Sequence, residues 1–302
     1  MELSPIVLTT RREFGAIRLQ FRRFSPQRSH RRRTMPFSPS DHTFVVCAYK
    51  ENPFLEETVT SLLAQDRLSP VLISTSTPNS HIESVAKKCG VPMVVNPNPR
   101  GAGGDWNFGY DAAETSLVTI AHQDDFYKEG FLSTMLEAIN RYNAADVEFA
   151  FADYFEIRDG VAVAKNSLLN IKRLLNAPLS SSVFNRSSFV KRRVLSFGNP
   201  ICCPAVMLVK QNLGPSIFDE QYKNSCDYKT WVDLAETPGR FVYVPERLMG
   251  HRIYEESSTS LNLKDGIRQA EDLEILSSLW PSQVAKLIYR VYSLSEKSNE
   301  LS

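Results

Sequence analysis

The sequence lacks any long apolar run. Nowhere in its 302 residues do about 18 consecutive apolar side chains occur, the length that a membrane-spanning helix needs. The N-terminal segment carries arginine but no continuous apolar stretch, so it is a poor match to a secretory signal. We therefore expect a cytoplasmic protein that at most lies against the inner membrane surface.

Cysteine is also scarce, and its spacing contains no metal-binding motif. The five cysteines are an odd number, two of them are adjacent, and no pair has the spacing of a zinc site. Adjacent cysteines are poorly placed to form a disulfide with each other. The simplest interpretation is a protein with reduced thiols from a reducing compartment.

Basic residues are in deficit along most of the chain. Residues 1–34 contain nine arginines and two glutamates, whereas the remaining residues contain 26 basic and 32 acidic side chains. An acidic body argues against nucleic acid as the main partner. We interpret residues 1–40 as a disordered basic tail, suited to an anionic membrane surface, or as an upstream extension of the reading frame.

From residue 43 onward the sequence alternates between short apolar strands and amphipathic helices. The first helix is predicted to begin with Asn52 as its N-cap and Pro53 at its first position. The alternation predicts an α/β fold of Rossmann-like type, with a mostly parallel central sheet, helices on both faces and further helices at the C-terminus. Ligands of such sheets bind at the carboxyl ends of the strands. The predicted strands are residues 43–49, 70–75, 92–96 and 116–121.

Two adjacent carboxylates, Asp124 and Asp125, follow the fourth predicted strand in the segment AHQDDFY. Neighbouring carboxylates repel each other, and a bound cation or a raised pKa relieves that repulsion. The alternative is a strand-to-loop turn, in which aspartate is common for backbone reasons. The position of the pair at a strand end favours a metal site.

Five segments, in this order along the chain, resemble motifs of the family-2 glycosyltransferases of the GT-A fold. They are VVCAYKENPFLEETVTSLLAQ, NPRGAGGDWNFGYDAA, TIAHQDDFY, FDEQYKNSCDYKTWVDLA and GHRIYEESSTS. The resemblance covers residues 43–262. It implies a GT-A glycosyltransferase domain at residues 41–262, followed by a C-terminal helical segment at residues 263–302.

The resemblance implies a divalent metal ion, Mn²⁺ or Mg²⁺, that offsets the charge of the leaving nucleotide diphosphate. It makes Asp125 the direct metal ligand and sets Asp124 beside it, toward the ribose or a metal-bound water. His251 is a second candidate ligand, in place of the histidine that many relatives have where this chain has Tyr254. The chain departs from the family's Asp-x-Asp-Asp at its first acidic position, which is His122.

The resemblance also implies that Asp227 is the catalytic base. This carboxylate would take the proton of the acceptor hydroxyl while the oxygen attacks the anomeric carbon, which inverts the stereochemistry. A positioned base of this kind contributes about 10²- to 10⁴-fold in rate. Cys226 stands where the family often has glutamate. The alternative is that Asp227 only caps the helix that carries Trp231.

Binding of the nucleotide is assigned by the resemblance to the loops after the first two strands. Tyr49, Glu51 and the loop that begins at Ser74 should hold the base and the ribose. Residues 74–80, STSTPNS, are rich in hydroxyl groups where the family usually has an aspartate-rich turn. Hydroxyl groups still offer hydrogen bonds to a base or a ribose.

Three charged residues are assigned to the donor in the same way. Arg100 and Asp105 are expected near the nucleotide or the donor sugar. The guanidinium of Arg252 is expected to contact the diphosphate through two N–H donors. The alternatives are solvation of a loop for Arg100 and a helix N-terminal charge for Asp105. The segment GNPICCPAVM, residues 198–207, lines the acceptor side or is a buried strand with small residues.

These features predict an inverting, metal-dependent glycosyltransferase of polysaccharide biosynthesis. The expected donor is a UDP-sugar, and the expected acceptor is a hydroxyl of a saccharide or a lipid-linked saccharide. The last two helices are candidates for closing the acceptor side, for a homodimer contact or for contact with the inner leaflet. Their amphipathic pattern is more typical of packing against their own domain.

Three other functions fit parts of the sequence. A dinucleotide-binding dehydrogenase is suggested by GAGG, but that segment lacks a third glycine and does not follow the first strand. A sugar-nucleotidyltransferase needs a glycine-rich basic loop directly after the first strand, where this chain has AYKENPF. A non-catalytic nucleotide- or carbohydrate-binding protein with a degenerate GT-A site stays open, because His122, Cys226 and residues 74–80 depart from the family pattern.

Overall fold

The computed structural model describes residues 36–254 and 266–300, with side chains described up to Ser293. Residues 1–35 of the predicted basic tail (residues 1–40) and the Ser/Thr-rich end of the last motif, residues 255–260, lie outside the described residues. The predicted boundary between residues 262 and 263 also lies outside them, so the division into domains stays a prediction.

The first half of the fold is a series of parallel strands joined by helices. β1 pairs in parallel with β2 and β4, and β2 pairs in parallel with β3. The predicted order of strands and helices is confirmed for this half. Its elements are β1 (His42–Ala48), α1 (Leu55–Leu63), β2 (Val71–Thr75), α2 (Ser80–Cys89), β3 (Met93–Val95), α3 (Gly101–Ala112) and β4 (Leu117–His122).

Local hydrogen bonds set the ends of these helices. The Asn79 side chain accepts a hydrogen bond from a backbone N–H in the first turn of α2 at 3.0 Å, and Gly90 ends that helix with a φ of +68°. α1 begins at Leu55 rather than at the predicted cap. Asn52 instead closes a turn before the helix, where its Oδ1 accepts a hydrogen bond from the N–H of Phe54 at 2.9 Å.

The second half of the fold adds five strands and seven helices in the described part of the chain. They are β5 (Phe126–Tyr127), α4 (Phe131–Asn140), β6 (Val147–Arg158), β7 (Val161–Val163), α5 (Ser167–Asn176), α6 (Ser188–Leu195), β8 (Val206–Leu208), α7 (Lys210–Leu213), α8 (Cys226–Glu236), β9 (Arg240–Ile253), α9 (Ile267–Leu279) and α10 (Ser282–Glu300).

The nine strands of the described residues form one sheet in the order β3-β2-β1-β4-β8-β6-β9-β5, with β7 paired to β6. β8 is antiparallel to β4 and β6, and β5 and β7 are antiparallel to the strands they pair with. β6 and β9 are parallel, so six of the nine strands run in one direction. The predicted α/β class with a mostly parallel sheet is confirmed.

Hydrophobic clusters cover both faces of the sheet. Phe44 and Val46 belong to a cluster that also contains apolar residues of α1, α2 and α4. Val45 belongs to a second cluster, with residues of α3, α6, α8 and α9. Successive residues of a strand point to opposite faces. The predicted helices on both faces therefore explain why β1 is apolar without interruption.

α3 lies unusually close to the sheet. A Cβ atom at Gly109 would lie 2.6 Å from Cγ1 of Val45 and 3.1 Å from the side chain of Ser74. Such distances leave room only for glycine. The backbone of α3 is therefore seated directly on β1 and β2.

The carboxyl ends of β1, β2 and β4 lie at one edge of the sheet. Ala48 is in register with Thr75, and Cys47 with His122. β5 follows β4 closely and pairs with the end of β9. The loops after β1, β2 and β4 are thereby brought next to the last residues of β9.

The two C-terminal helices pack against the second half of the sheet domain. Trp280, between α9 and α10, donates a hydrogen bond from Nε1 to the carbonyl of Ser196 at 2.7 Å. The carboxylate of Glu271 accepts hydrogen bonds from the backbone N–H groups of residues 223–225. Among the helices of the described residues, none has the length and apolar character needed to cross a membrane.

Candidate active site

Asp125, directly after β4, is completely buried at 0% exposure. Its Oδ1 accepts hydrogen bonds from Nδ1 of His251 at 2.9 Å and from the backbone N–H of Arg252 at 3.1 Å. Its Oδ2 has no hydrogen-bond partner among the described residues, and Nδ1 of His122 lies 3.9 Å from it. Leaving a buried carboxylate oxygen unpaired is costly, so this atom marks a place for a ligand or an ion.

His122 is partly exposed, but one of its ring nitrogens is buried. Its ring stacks on Trp106 with the ring centroids 5.0 Å apart, and within the described part of the chain its Nε2 has no hydrogen-bond partner. One potential ligand atom from each of His122, Asp124 and Asp125 lies within 4.8 Å of the others. Carboxylates suit Mg²⁺ and Mn²⁺, and imidazole suits transition metals. These three residues therefore fit a divalent cation.

The surroundings shift the pKa values of Asp124 and Asp125 in opposite directions. Burial alone would raise the pKa of Asp125, but the charge and hydrogen bond of His251 and the backbone N–H of Arg252 lower it overall. Burial and the negative charge of Asp125 raise the pKa of Asp124. Burial disfavours the imidazolium of His251, yet the neighbouring carboxylates outweigh it and raise its pKa. The ionised form of Asp125 is thus favoured by its contact with His251.

Arg252 and Tyr254, at the end of β9, hold Asp124 from the other side. The Nε of Arg252 donates to the carbonyl of Asp124 at 2.9 Å, and its Nη2 donates to Glu57 at 2.9 Å. Its guanidinium lies over the ring of Phe54, 3.9 Å from the centroid. The hydroxyl of Tyr254 donates to Oδ2 of Asp124 at 2.8 Å. The predicted diphosphate contact of Arg252 therefore competes with protein partners already in place.

The loop after β1 is tied to its neighbours through its backbone. The amide of the Gln123 side chain accepts from the N–H of Tyr49 at 2.9 Å and donates to the Tyr49 carbonyl at 3.1 Å. Lys50 has a φ of +56°, and its N–H donates to Thr77 at 2.6 Å. These contacts leave the side chains of Tyr49 and Glu51 exposed at the sheet edge.

The loop after β2 places its hydroxyl groups differently from the sequence interpretation. Ser74 lies within β2, is only 3% exposed and packs against α3. Ser76, the first residue after β2, donates a hydrogen bond to Oδ2 of Asp105 at 2.6 Å. The other oxygen of Asp105 accepts from the side chain of Asn96 at 2.8 Å. Asp105 thus joins the loops after β2 and β3 to α3, and Ser74 faces the interior.

α3 also contacts the segment before α8. Arg100, which is 70% exposed in its side chain, forms an ion pair with Glu220 at 3.2 Å. The side chain of Asn107 exchanges two hydrogen bonds with the backbone of Phe218, at 2.8 and 2.9 Å. The helix that carries Asp105 is therefore also attached to the chain leading into α8.

Asp227 lies in the first turn of α8, and Ser225 holds the N-cap position. Its Oδ2 accepts a hydrogen bond from the side chain of Asn199 at 2.8 Å. Burial raises the pKa of Asp227, while nearby groups, which include Asn199 and His122, lower it less strongly. Burial also raises the pKa of the Cys202 thiol, followed by the charges of Asp125 and Asp227. Asp227 is therefore close enough to His122 for the two groups to interact electrostatically.

Strand ends that carry an acidic pair, on a mostly parallel sheet with helices on both faces, define a protein of the GT-A glycosyltransferase fold. The sequence model of the family described as Glycosyl transferase family 2 matches residues 43–213. The chain belongs to this family, which confirms the resemblance seen in the sequence. No curated protein sequence matches the chain.

Solved structures of similar fold support the same class. The mannosyltransferase PcManGT from Pyrobaculum calidifontis, in complex with GDP-Man and Mn²⁺, is 15% identical with a TM-score of 0.55, over 84% of this chain and 75% of that chain. TarS 1-349 from S. aureus, in complex with UDP, is 14% identical with a TM-score of 0.52, over 82% of this chain and 69% of that chain. In another S. aureus TarS structure the chain spans 42% of that protein's length.

Three residues of this site were not assigned a role from the sequence. His122 was noted only as a departure from the family's acidic signature, yet it is the third member of the group that fits a cation. Tyr254 was noted only as a replacement for histidine, yet it binds Asp124. Asn199, which binds Asp227, carried no signal beyond its place in the predicted acceptor segment.

Proposed function

We propose that the protein is an inverting glycosyltransferase. It moves a sugar from a nucleotide-diphosphate donor to a hydroxyl of a saccharide or a lipid-linked saccharide, with the help of a divalent metal ion. The observation that carries the proposal is the cluster of His122, Asp124 and buried Asp125, with two buried polar atoms that lack a hydrogen-bond partner among the described residues, at the carboxyl edge of a sheet of this family's fold.

In this proposal Asp125, through Oδ2, and Asp124 and His122 would hold Mn²⁺ or Mg²⁺. When bound, such an ion offsets the negative charge of the departing nucleotide diphosphate. His251 is then a positioning residue rather than a ligand, because it lies outside the cluster of three potential ligands and its Nδ1 donates to Oδ1 of Asp125. Orientation of a ligand by a second hydrogen-bonded group of this kind is common at metal sites.

Asp227 takes the proton of the acceptor hydroxyl as that oxygen attacks the anomeric carbon. The bond from the anomeric carbon to the diphosphate breaks on the opposite side, so the configuration at that carbon is inverted. The raised pKa of Asp227 suits a base. The hydrogen bond from Asn199 orients the carboxylate of Asp227.

The nucleotide would lie over the loops after β1 and β2. Tyr49 and Glu51 are exposed there for contact with the base and the ribose. In place of buried Ser74, Thr77 offers its hydroxyl group, and Asp105 fixes the loop behind it. The neighbouring structures that hold UDP, UDP-GlcNAc or GDP-Man support a nucleotide-sugar donor, and a UDP-sugar is our first choice.

Thermal unfolding with added UDP, GDP or dTDP, each with and without Mn²⁺, tests the donor site. We expect one nucleotide to raise the melting temperature, and only with the metal; at ~100 times its dissociation constant a ligand adds about 2.7 kcal/mol of stability. His122→Ala should weaken the metal-dependent shift, with at least about a tenfold loss of metal affinity. His81→Ala, a change outside the group, is the matched control.

A shift that occurs without metal, or that His122→Ala leaves unchanged, would contradict the metal site. No shift with any nucleotide would favour the alternative, a binding protein with a degenerate GT-A site. Donor turnover separates those two functions, since a binding protein releases no nucleotide from its donor.

A further inference from the structure

The sequence contains a long segment without acidic residues. No aspartate or glutamate occurs between Asp159 and Asp219, although the chain after residue 34 is acidic as a whole. The same is true between Glu274 and Glu296. The first segment spans β7, α5, α6 and β8, and the second spans the end of α9 and most of α10. The basic residues of the first segment are Lys165, Lys172, Arg173, Arg186, Lys191, Arg192, Arg193 and Lys210.

Part of this positive charge is neutralised by acids from other elements. Arg173, Arg186, Lys191 and Arg192 form ion pairs with acidic residues outside the segment. In the described part of the chain, no ion pair is formed by Lys165, Arg193, Lys286 or Arg290, and all four are exposed. The two acid-free segments therefore present uncompensated positive charge to the solvent.

The exposed apolar side chains lie in the same two segments. Eight large apolar side chains of the described residues are more than half exposed, and six of them belong to α5, α6, the loop between these helices, and α10. A folded protein rarely concentrates such residues without a partner. The six are Leu174, Val183, Phe184, Phe189, Leu287 and Val291.

The two segments are neighbours in space. α10 contacts α5. A Cβ at Gly198, just after α6, would lie 2.8 Å from the ring of Tyr292 in α10. The guanidinium of Arg193 lies over the ring of Trp280, 4.3 Å from the centroid. We call the six apolar side chains, together with Lys165, Arg193, Lys286 and Arg290, the basic apolar face.

We propose that the basic apolar face binds the surface of a bilayer that contains anionic phospholipids. Exposed Phe, Leu and Val side chains enter the boundary between headgroups and acyl chains, and Lys and Arg pair with lipid phosphates. Contact is peripheral, since no helix of the described residues is suited to span a membrane. A second copy of the chain fits less well, because a symmetric contact would set Arg193, Lys286 and Arg290 against their own copies.

The basic apolar face continues into the acceptor side of the site. Phe197, 44% exposed, is followed two residues later by Asn199, whose side chain binds Asp227. A saccharide anchored in the bilayer would therefore approach the protein from the side of the base. This last step rests on the proposed function, whereas binding to lipid does not.

Co-sedimentation with vesicles tests the proposal on the full chain, without donor or acceptor. We expect binding to vesicles of phosphatidylcholine with phosphatidylglycerol and none to phosphatidylcholine alone, with weaker binding at high salt. Lys286→Glu/Arg290→Glu should lower the partition coefficient about 30-fold or more. Phe189→Ser should lower it about tenfold. Both sites are exposed, and melting temperatures confirm that the variants fold.

The matched control is Leu68→Ser/Lys87→Glu, which removes an equally exposed apolar side chain and a basic residue outside the face. All variants keep residues 1–34, so any binding by those nine arginines is constant. Equal binding by wild type, control and face variants would overturn the proposal and assign binding to another segment. Failure of the wild type to bind anionic vesicles, with a concentration-dependent dimer that Phe189→Ser abolishes, would show a contact between copies instead.

Discussion

Asp125 and Asp227 are two carboxylates of the proposed site with opposite surroundings. Asp125 accepts hydrogen bonds from His251 and from the backbone of Arg252, and its pKa is lowered. Asp227 accepts one side-chain hydrogen bond, from Asn199, and burial raises its pKa. Environments that shift the pKa values of two carboxylates apart in this way give the two groups different chemical roles. The first is kept charged, as a cation requires, and the second is prepared to take up a proton.

The largest expected effect is the loss of turnover in Asp227→Asn. The amide cannot accept the proton of the acceptor, so we expect about a 10²- to 10⁴-fold lower kcat. Nucleotide binding should be unchanged. The pKa of Asp227 is raised in the folded state, so its ionised form lowers stability once the pH exceeds its unfolded pKa. The melting temperature of the variant at neutral pH should therefore equal or exceed that of wild type.

The control for this variant is Asp233→Asn, an exposed aspartate on the same helix that pairs with Lys229. It should leave both kcat and nucleotide binding unchanged. Measured turnover of Asp227→Asn within a few fold of wild type would remove this residue from the role of base. It would then be only a first-turn residue of α8.

A smaller effect on rate but a larger one on stability is expected for Asp125→Ala. Removing this carboxylate leaves the partly buried His251 without its hydrogen-bond partner, which should lower the free energy of unfolding by about 1–3 kcal/mol. Because the folded pKa of Asp125 is lowered, this difference is present above its unfolded pKa and disappears as the pH falls through the folded pKa. Urea unfolding at several pH values measures it.

The same Asp125→Ala protein should lose the metal-dependent thermal shift with nucleotide. If the variant keeps that shift, the cation is bound elsewhere, and Asp125 does not have the role of metal ligand that distinguishes it from Asp227. Asp233→Ala is the appropriate comparison, because it removes a carboxylate with an exposed partner.

The smallest expected effect is that of Tyr254→Phe. The variant loses the hydroxyl that joins the amide of Asn52 to Oδ2 of Asp124, at 2.9 and 2.8 Å. A hydrogen bond to a charged group contributes about 1.5 kcal/mol, so the free energy of unfolding should fall by about that amount. Metal affinity should change only a few fold. A loss of nucleotide binding as large as that of Asp125→Ala would instead make Tyr254 part of the donor site.

The fold was predictable from the sequence where its pattern is local. β1, β2, β3 and β4 are short apolar runs separated by helices, and each follows from residues within a few positions of it. The antiparallel placement of β8 between β4 and β6 was not predictable, because strand pairing across such separations leaves no local signature. The start of α1 was misplaced since Asn52 favours both a cap and a turn.

The sequence predicts where in the fold the candidate site lies, but not which residues contact each other there. The rule for strand ends locates Asp124 and Asp125 correctly, at the edge where the loops meet. It does not show that Asp125 binds His251, which lies 126 positions away. It also does not show which face of β2 carries Ser74, since one position along a strand reverses the side chain. Those facts depend on register, which the sequence does not display.

α3 fixes the distance over which the reaction must work. This helix is attached through Asp105 to the loops after β2 and β3, and two residues later through Asn107 to the chain that leads into α8. Gly109 seats it on β1 with no room for adjustment. In the proposed mechanism, the distance between the nucleotide site and Asp227 is therefore set by α3 rather than by any loop. Engineering for a longer donor or acceptor should begin by leaving this helix untouched.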